Sequence, residues 1–160
     1  MQKYLTIAVE NSTWNNMGDA FYQCSLMNAL KVSLEAKVVH FDGPASRAFR
    51  PANRIKKNEC DIRARVEADH FVFSGPILSS DFLTKYGPLI EHLHRTDKSY
   101  SLISVHAYAV GNDVTILKKF FEKYPPLAFH TRDHDTFVKF QGIADIEYDG
   151  LCFAFFVNKI

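Results

Sequence analysis

The sequence predicts one α/β domain built on an open, doubly wound and mostly parallel sheet flanked by helices. Short runs rich in Val, Ile and Phe alternate along the chain with segments of helical periodicity, which supports this class. The runs are apolar throughout instead of at every second residue, as parallel strands covered on both faces usually are. A chain of 160 residues, 47% of them hydrophobic, is long enough for one core, so residues 1–160 are expected to form a single domain.

Seven short apolar segments are the predicted strands. They cover residues 4–9, 37–41, 68–74, 99–107, 127–130, 145–148 and 151–157. The last two are expected to form a closing pair. All seven are expected to be buried on both faces, because polar residues do not alternate with the apolar ones.

Helical periods fill the intervals between the strands. The first predicted helix, residues 19–35, carries apolar side chains on one face at spacings of three and four: Ala20, Cys24, Met27, Leu30 and Leu34. A second helix is predicted to begin where Asn112 or Asp113 can cap it, and Pro125-Pro126 ends it.

Two further helical segments are marked by their end signals. Residues 133–141 are predicted as a helix that Asp133 caps and that Gly142 ends. Residues 80–95 also have a helical period, but Gly87-Pro88 interrupts it. A break is therefore predicted there, with a new helix starting near Pro88.

Bulk composition argues against several classes of function. The formal net charge is +1, so no overall field favours nucleic acid as a partner. No apolar stretch approaches the roughly 20 residues that span a bilayer, and no secretion signal is recognisable, so an integral membrane protein is not expected. The widely spaced Cys24, Cys60 and Cys152 favour reduced thiols in a cytoplasmic protein over a zinc site or a disulfide framework.

Residues 43–65 are the least regular part of the sequence and are rich in arginine and lysine, with Glu59 and Asp61 as the acidic residues. One interpretation is a basic loop that attracts a phosphorylated or acidic substrate. The other is an ordinary solvated surface excursion.

Ligands of open parallel sheets bind beyond the carboxyl ends of the strands. The residues that follow the predicted strands are therefore the candidates for a site. They are residues 11–19, 42–43, 74–76, 106–112 and 131–133.

The first of these segments, within ENSTWNNMGDAFYQ, is the richest in polar groups. Gly18 permits close backbone approach, and the start of a helix supplies unpaired N–H groups. Asp19 repels an anion there, whereas amides with a carboxylate suit hydroxyl groups, so Asn15, Asn16, Gly18 and Asp19 are candidate ligands of a sugar. The alternative is a structural loop in which Asp19 caps the helix.

The segments after later strands contain further candidates. Gly75, in Ser74-Gly75-Pro76, again allows close backbone approach to a ligand. His106 stands at a strand end, where an imidazole can act as general acid or base, or can be a hydrogen-bonded structural residue.

The segment HTRDHD combines an arginine with carboxylates directly after a strand. Arg132 can clamp a carboxylate or phosphate with two parallel hydrogen bonds, and Asp133 lies beside it. The alternative is an Arg–Asp salt bridge that braces the turn. No metal site is predicted, because His92 and His94 face different sides of a helix.

Taken in order, these motifs resemble the N-terminal half of polysaccharide pyruvyl transferases. The matching stretches are NNMGDA, ADHFVFSGPIL, SVHAYAVG, the run RDHDT from Arg132 to Thr136, and Asp149 before LCFAFF. Their order and spacing cover nearly the whole chain, and NNMGD together with RDHDT is moderately specific.

The resemblance implies a Rossmann-like domain, one half of a two-domain glycosyltransferase-type fold. It implies transfer of a pyruvyl group from phosphoenolpyruvate, as donor substrate and without a cofactor, to hydroxyls of a surface polysaccharide or exopolysaccharide. His106 would then serve acid–base chemistry and Arg132 would clamp the donor, with Asn15, Asn16, Gly18, Asp19, Gly75 and Asp133 binding substrate.

Two departures from the family pattern alter these expectations. The usual Gly-Gly after the third strand is Ser74-Gly75 here, and the C-terminal donor domain is expected to be absent. The chain is thus expected to need a second domain or polypeptide for activity. Two rival functions stay open, namely a non-catalytic domain that binds carbohydrate or a partner, and half of a nucleotide-sugar glycosyltransferase.

Overall fold

The computed structural model describes residues 5–11, 17–42 and 66–156. Strands and helices alternate along the described chain. In order they are β1 (Thr6–Asn11), α1 (Met17–Leu34), β2 (Lys37–Asp42), β3 (His70–Leu78), α2 (Phe82–Arg95), β4 (Ser99–Ala107), α3 (Asn112–Lys123), β5 (Ala128–Thr131), α4 (His134–Phe140), β6 (Ile146–Asp149) and a 3-10 helix (Phe153–Phe156).

The strands form one six-stranded sheet in the order β2-β1-β3-β4-β5-β6. Every pair is parallel. The predicted α/β class, an open Rossmann-like sheet with flanking helices, is therefore confirmed. The order reverses direction between β1 and β3, and such a switch point is where ligands of open sheets commonly bind.

Two apolar cores cover the two faces of the sheet. The larger core joins Phe71, Phe73 and Phe129 of the strands to side chains of α2, α3 and α4. Its rings meet edge to face, as Phe82 does with Phe121 at 5.4 Å between centroids. The smaller core joins β1, β2 and β3 to α1 and includes Ile7, Val9, Val72, Leu26 and Met27.

Strand predictions were accurate in the middle of the chain and wrong near its C-terminal end. The range 99–107 is confirmed as β4, and the other five paired strands lie within a few residues of their predicted ranges. The predicted strand 151–157 is wrong over its described part, residues 151–156, because Phe153–Phe156 is a 3-10 helix. Phe153 turns away from the sheet edge and packs against the smaller core. The expected burial on both faces also fails for β6, whose Ile146 and Tyr148 are exposed.

The predicted break at Gly87-Pro88 is wrong, because α2 is one helix with Pro88 inside it. Phe82 and Tyr86 before the proline and Leu89 after it are buried in the same core. Packing on both sides of Pro88 outweighs the one backbone hydrogen bond that proline cannot make.

The predicted apolar face of α1 is confirmed only in part, because Met27 and Leu30 pack in the smaller core as predicted. Cys24 and Leu34 are exposed, whereas Tyr22 and Leu26 are buried. Residues at spacings of three and four lie on two adjacent stripes of α1. Tertiary packing buries the stripe that contains Tyr22 and Leu26. At α3, the N-cap is Gly111 and no side chain caps it, so neither Asn112 nor Asp113 has the predicted role.

Several predictions fall on residues outside the described ranges. These are the roles of Asn15 and Asn16, the basic segment 43–65, and the state of Cys60. Cys24 and Cys152 are free thiols. No helix within the described ranges is both long and apolar enough to cross a membrane.

Candidate functional site

The candidate site lies where β4 and β5 end. His106 is the penultimate residue of β4, and Arg132 and Asp133 directly follow β5. The two strands are neighbours in the parallel sheet, so their carboxyl ends meet at one edge. The structure thus brings together three of the residues that the sequence predicted for chemistry.

A bulge in β4 determines which way His106 faces. Ser104 has φ 56°, in the left-handed region, and the register on both neighbouring strands shifts around it. Leu102 and Val105 consequently belong to the same core although they are three residues apart. His106 therefore lies out of that core, where regular alternation would have placed it inside.

Ser104 is held in this conformation by two neighbours. Its N–H donates to Nδ1 of His130 at 3.1 Å, and its hydroxyl oxygen accepts a bond from the N–H of Phe153 at 3.3 Å. Burial lowers the pKa of His130, which keeps the ring neutral and its Nδ1 able to accept. The strained residue is therefore braced by the neighbouring strand and by the 3-10 helix.

His106 and Asp133 form a short, direct hydrogen bond. Nδ1 of His106 lies 2.7 Å from Oδ2 of Asp133, and the two side chains are 28% and 31% exposed. The other carboxylate oxygen of Asp133 accepts the N–H of Thr136 at 2.8 Å, which caps α4 as the sequence predicted. One carboxylate thus joins the histidine of β4 to the first turn of α4.

Thr136 completes this cluster. It is buried, and its hydroxyl oxygen accepts the N–H of Ala107 at 3.0 Å. Partial burial alone would raise the pKa of Asp133, but hydrogen bonds from His106 and Thr136 outweigh it and hold that pKa below its usual range. Asp133 is therefore an ionised acceptor at neutral pH.

Arg132 extends the sheet through its backbone, and the residue is partly exposed. Its N–H donates to the carbonyl of Val105 at 3.1 Å. Within the described ranges no carboxylate lies close enough to form an ion pair with its guanidinium, and Asp133 pairs with His106 instead. The Arg–Asp brace considered as an alternative is thus not formed.

A second group of predicted residues lies at the β1–β3 switch point. Gly18 and Asp19 are in the first turn of α1, and both have partners in the structure. Gly75 has φ 93°, and a Cβ added there would lie 2.6 Å from the hydroxyl of Tyr22. The space beside Gly75, which was predicted to admit a ligand, is filled by the side chain of Tyr22 from α1.

The two groups are separated across the sheet edge. β3 lies between β1 and β4, so the ends of β1 and β4 are two strand spacings apart, or about 10 Å. That distance suits a substrate that contacts α1 with one end and His106 with the other. The geometry places His106, Arg132 and Asp133 at the ends of β4 and β5 and leaves Gly18 and Asp19 as a separate patch, with Gly75 on the intervening strand β3.

Sequence reasoning missed two contributors to the site. In the sequence Thr136 stood out only as the last residue of RDHDT. Its place in the cluster depends on the hydrogen bond that it accepts from Ala107 of β4. Tyr108 is 63% exposed, and its ring meets that of His106 edge to face at 4.7 Å. The sequence signal that could have identified Tyr108 is its position, two residues after a histidine at the end of a strand.

Other features of the described chain do not converge on this site. An open groove of about 710 Å³ lies at the opposite edge, where Asp69, Ser99 and Leu127 stand at the amino ends of strands. In the described ranges, no three residues among His, Cys, Asp and Glu are grouped so as to hold a metal ion. Among the described residues, the carboxyl edge of β4 and β5 holds the partly buried histidine–carboxylate pair, whereas the pair of His134 and Asp149 is more exposed.

The fold and this cluster define an open α/β domain with a histidine–carboxylate pair at its ligand-binding edge. Comparison of the chain with protein-family models, with curated proteins and with solved structures gave no match in any of the three. The residues of the site and their geometry are therefore the basis for a functional assignment.

Proposed function

We propose that this domain carries the acid–base half of a pyruvyl transferase site, which joins the pyruvyl group of phosphoenolpyruvate to sugar hydroxyls as a ketal. The observation that carries the proposal is the hydrogen bond from His106 to Asp133 at the carboxyl edge of a parallel sheet. The order of sequence motifs described above supports this chemistry in particular.

The reaction requires two proton movements that one imidazole can mediate. Two sugar hydroxyls add to the central carbon of the donor, and its bond to phosphate oxygen breaks. One hydroxyl proton ends on the methylene carbon, which becomes a methyl group, and the other ends on the departing phosphate. His106 would accept a proton from a hydroxyl and deliver one to carbon.

Arg132 would bind the donor beside this histidine. Its guanidinium has no ion-pair partner among the described residues, and it stands one strand away from His106. Phosphoenolpyruvate offers both a carboxylate and a phosphate, and either accepts two parallel hydrogen bonds from arginine. Gly18 and Asp19, with Asn15 and Asn16 ahead of them in sequence, would contact the sugar.

A second domain or polypeptide would close this cleft. His106 and Asp133 are each close to one-third exposed, so water has free access to the pair. Transfer to a sugar instead of to water needs a cover that excludes solvent. This part of the proposal predicts low activity for the 160-residue chain by itself.

The test is phosphate release from phosphoenolpyruvate in the presence of candidate glycans, with the chain alone and with added cell extract fractions. We expect His106→Gln to lower the rate at least about 10²-fold with donor binding retained. Arg132→Lys should weaken donor binding about 10-fold or more, because lysine cannot form the two-pronged contact. His94→Gln, on the exposed side of α2, is the matched control.

Specific outcomes would contradict the proposal. Full activity of the chain alone would overturn the need for a cover. Glycan binding that survives His106→Ala and Arg132→Ala, with no turnover under any condition, would point to a carbohydrate-binding domain instead. Saturable binding of a nucleotide-sugar with no response to phosphoenolpyruvate would point to a glycosyltransferase half.

A further inference from the structure

The carboxylate of Asp133 makes two hydrogen bonds with different partners, and this division has a chemical consequence. Oδ1 accepts the N–H of Thr136, and Oδ2 faces Nδ1 of His106 at 2.7 Å. An ionised carboxylate can only accept, so the proton in the second bond must sit on Nδ1. The cap on α4 prevents Asp133 from turning away, because Oδ1 is already held by that helix.

We propose that Asp133 is a positioning residue, which holds the proton of neutral His106 on Nδ1 and leaves Nε2 as the atom that exchanges protons with substrate. The second half of this statement rests on the proposed function, whereas the position of the proton does not. Asp133 thereby has a role different from the direct substrate contact that its place in the sequence predicts.

The surroundings of the pair favour this arrangement over its alternative. If Nε2 carried the proton, Nδ1 would present a lone pair to a carboxylate oxygen, and two acceptors would face each other at 2.7 Å. A hydrogen bond from the hydroxyl of Thr136 would not relieve such a contact, because that oxygen lies at 3.4 Å from Nδ1 whereas Oδ2 of Asp133 lies at 2.7 Å. The geometry is therefore consistent with one neutral tautomer.

The bulge at Ser104 and the Asp133 contact act together on the same ring. The bulge takes His106 out of the larger core, and the carboxylate then sets the rotation of the imidazole. Tyr108 packs edge to face against the ring at 4.7 Å and limits its motion further. A ring oriented in this way presents a defined nitrogen to a substrate.

Substitution of Asp133 by asparagine separates its two roles. The amide oxygen of Asp133→Asn can still accept the N–H of Thr136, so the cap on α4 is kept. Its NH₂ group can only donate, so it should bind the lone pair of Nδ1 and move the ring proton of neutral His106 to Nε2. Asp135→Asn is the matched control, since it removes the same charge from an exposed position in the same turn.

The experiment is ¹⁵N NMR of histidine-labelled protein at a pH well above the ordinary histidine pKa of about 6.5. The wild type and Asp135→Asn should show a protonated Nδ1 and an unprotonated Nε2 for His106. Asp133→Asn should show the reverse. An unprotonated Nδ1 in the wild type, or an unchanged tautomer in Asp133→Asn, would overturn the proposal.

A second variant keeps the test decisive if Asp133→Asn folds poorly. Serine is a good N-cap but is too short to reach the ring, so Asp133→Ser should keep α4 and lose the preference for a proton on Nδ1. Retention of that preference in Asp133→Ser would overturn the proposal.

Kinetics then distinguish the two proposals from each other. If turnover is found, a positioning role predicts that Asp133→Asn lowers kcat about 10²-fold or more with little change in KM. A rise in KM with kcat unchanged would instead assign Asp133 to substrate binding and overturn the positioning role. A correct tautomer without turnover, both for the chain alone and with added cell extract fractions, would refute the pyruvyl transferase function and leave the assignment of the proton intact.

Discussion

At the scale of single residues, two positive backbone angles shape the candidate site. Ser104 at φ 56° re-aims His106, and Gly75 at φ 93° admits the hydroxyl of Tyr22. A non-glycine residue in the left-handed region costs free energy, so the neighbours of Ser104 must hold it there. Both residues lie in adjacent strands at the carboxyl edge, where the chain departs from regular pairing.

Gly75→Ala tests the close contact with Tyr22. Alanine at this angle costs about 1–2 kcal/mol by itself, and its Cβ would also meet a buried tyrosine hydroxyl at 2.6 Å. We expect a total loss of about 2–4 kcal/mol in the free energy of unfolding, measured by urea denaturation.

The control for this prediction is Gly142→Ala. Gly142 has a similar φ of 87°, but a Cβ there meets nothing within 4 Å among the described residues. It should lose only the conformational part, about 1–2 kcal/mol. Equal losses in the two variants would show that the contact with Tyr22 contributes nothing.

At the scale of elements, α4 is short and depends on side chains at both ends. It has seven residues, and Asp133 caps its start. His134, in its first turn, binds Asp149 of β6 at 2.6 Å. Beyond its end, Glu147 of β6 accepts the N–H groups of Gly142, Ile143 and Ala144. The helix that Asp133 caps is therefore tied to the edge strand by polar contacts, and Phe140 packs it into the larger core.

Glu147→Ala tests the second of these ties. Three backbone N–H groups lose a charged acceptor, so we expect the free energy of unfolding to fall by about 1–3 kcal/mol, with partial recovery in Glu147→Gln. Amide hydrogen exchange at residues 142–144 should accelerate in the same variant. Glu122→Ala, an exposed change on α3, should alter neither quantity, and an unaffected Glu147→Ala would refute this role.

At the scale of the whole molecule, β3 and β4 form the centre of the sheet and contain a polar link. Nδ1 of His70 lies 2.7 Å from Oγ of Ser99, and its Nε2 lies 3.0 Å from Oγ of Ser101. Burial lowers the pKa of His70 to about 4, so the ring is neutral in the folded protein at neutral pH. Protonation of this histidine therefore favours the unfolded chain.

The resulting prediction concerns stability between pH 6.5 and pH 4. In that interval the unfolded chain binds a proton at His70 and the folded one does not, so stability falls as the pH falls. After allowance for partial exposure we expect this histidine to contribute on the order of 2 kcal/mol across the interval. Urea unfolding at a series of pH values would measure it.

A variant isolates His70 from the other histidines. The lowered pKa of His130 acts in the same direction, whereas the raised pKa of His134, caused by its bond to Asp149, adds stability that is lost as pH rises. His70→Gln should therefore flatten the acid slope without abolishing it. His94→Gln, which leaves His70 and its two serine contacts in place, is the matched control. An unchanged slope in His70→Gln would count against the prediction.

Much of the architecture was accessible from local pattern. Apolar runs and helical periods predicted the parallel sheet and all of its strands, because each element buries its own apolar side chains. The capping role of Asp133 was also predictable, since an N-cap depends on residues within one turn. The errors at Pro88 and on α1 arose where packing with distant residues outweighed local preference.

The candidate site was predicted as a set of residues and not as an arrangement. His106, Arg132 and Asp133 follow predicted strands, so their place at one edge was an expectation from parallel topology. Their pairing was not predictable, because Asp133 had equally good local partners in Arg132 and in its own helix. The choice of His106 depends on the bulge at Ser104, which contacts two neighbouring elements, β5 and the 3-10 helix.

The sequence by itself determined the class of fold and the order of elements, and it named the residues that the structure brings to the carboxyl edge of β4 and β5. Hydrophobic periodicity and the residues that begin or end a helix are local properties, so they can be recognised in the sequence alone. Tertiary structure decided the strand order, the direction of His106 and the partner of Asp133. Those features depend on contacts between residues 26–49 positions apart, and such contacts exist only after the sheet has formed.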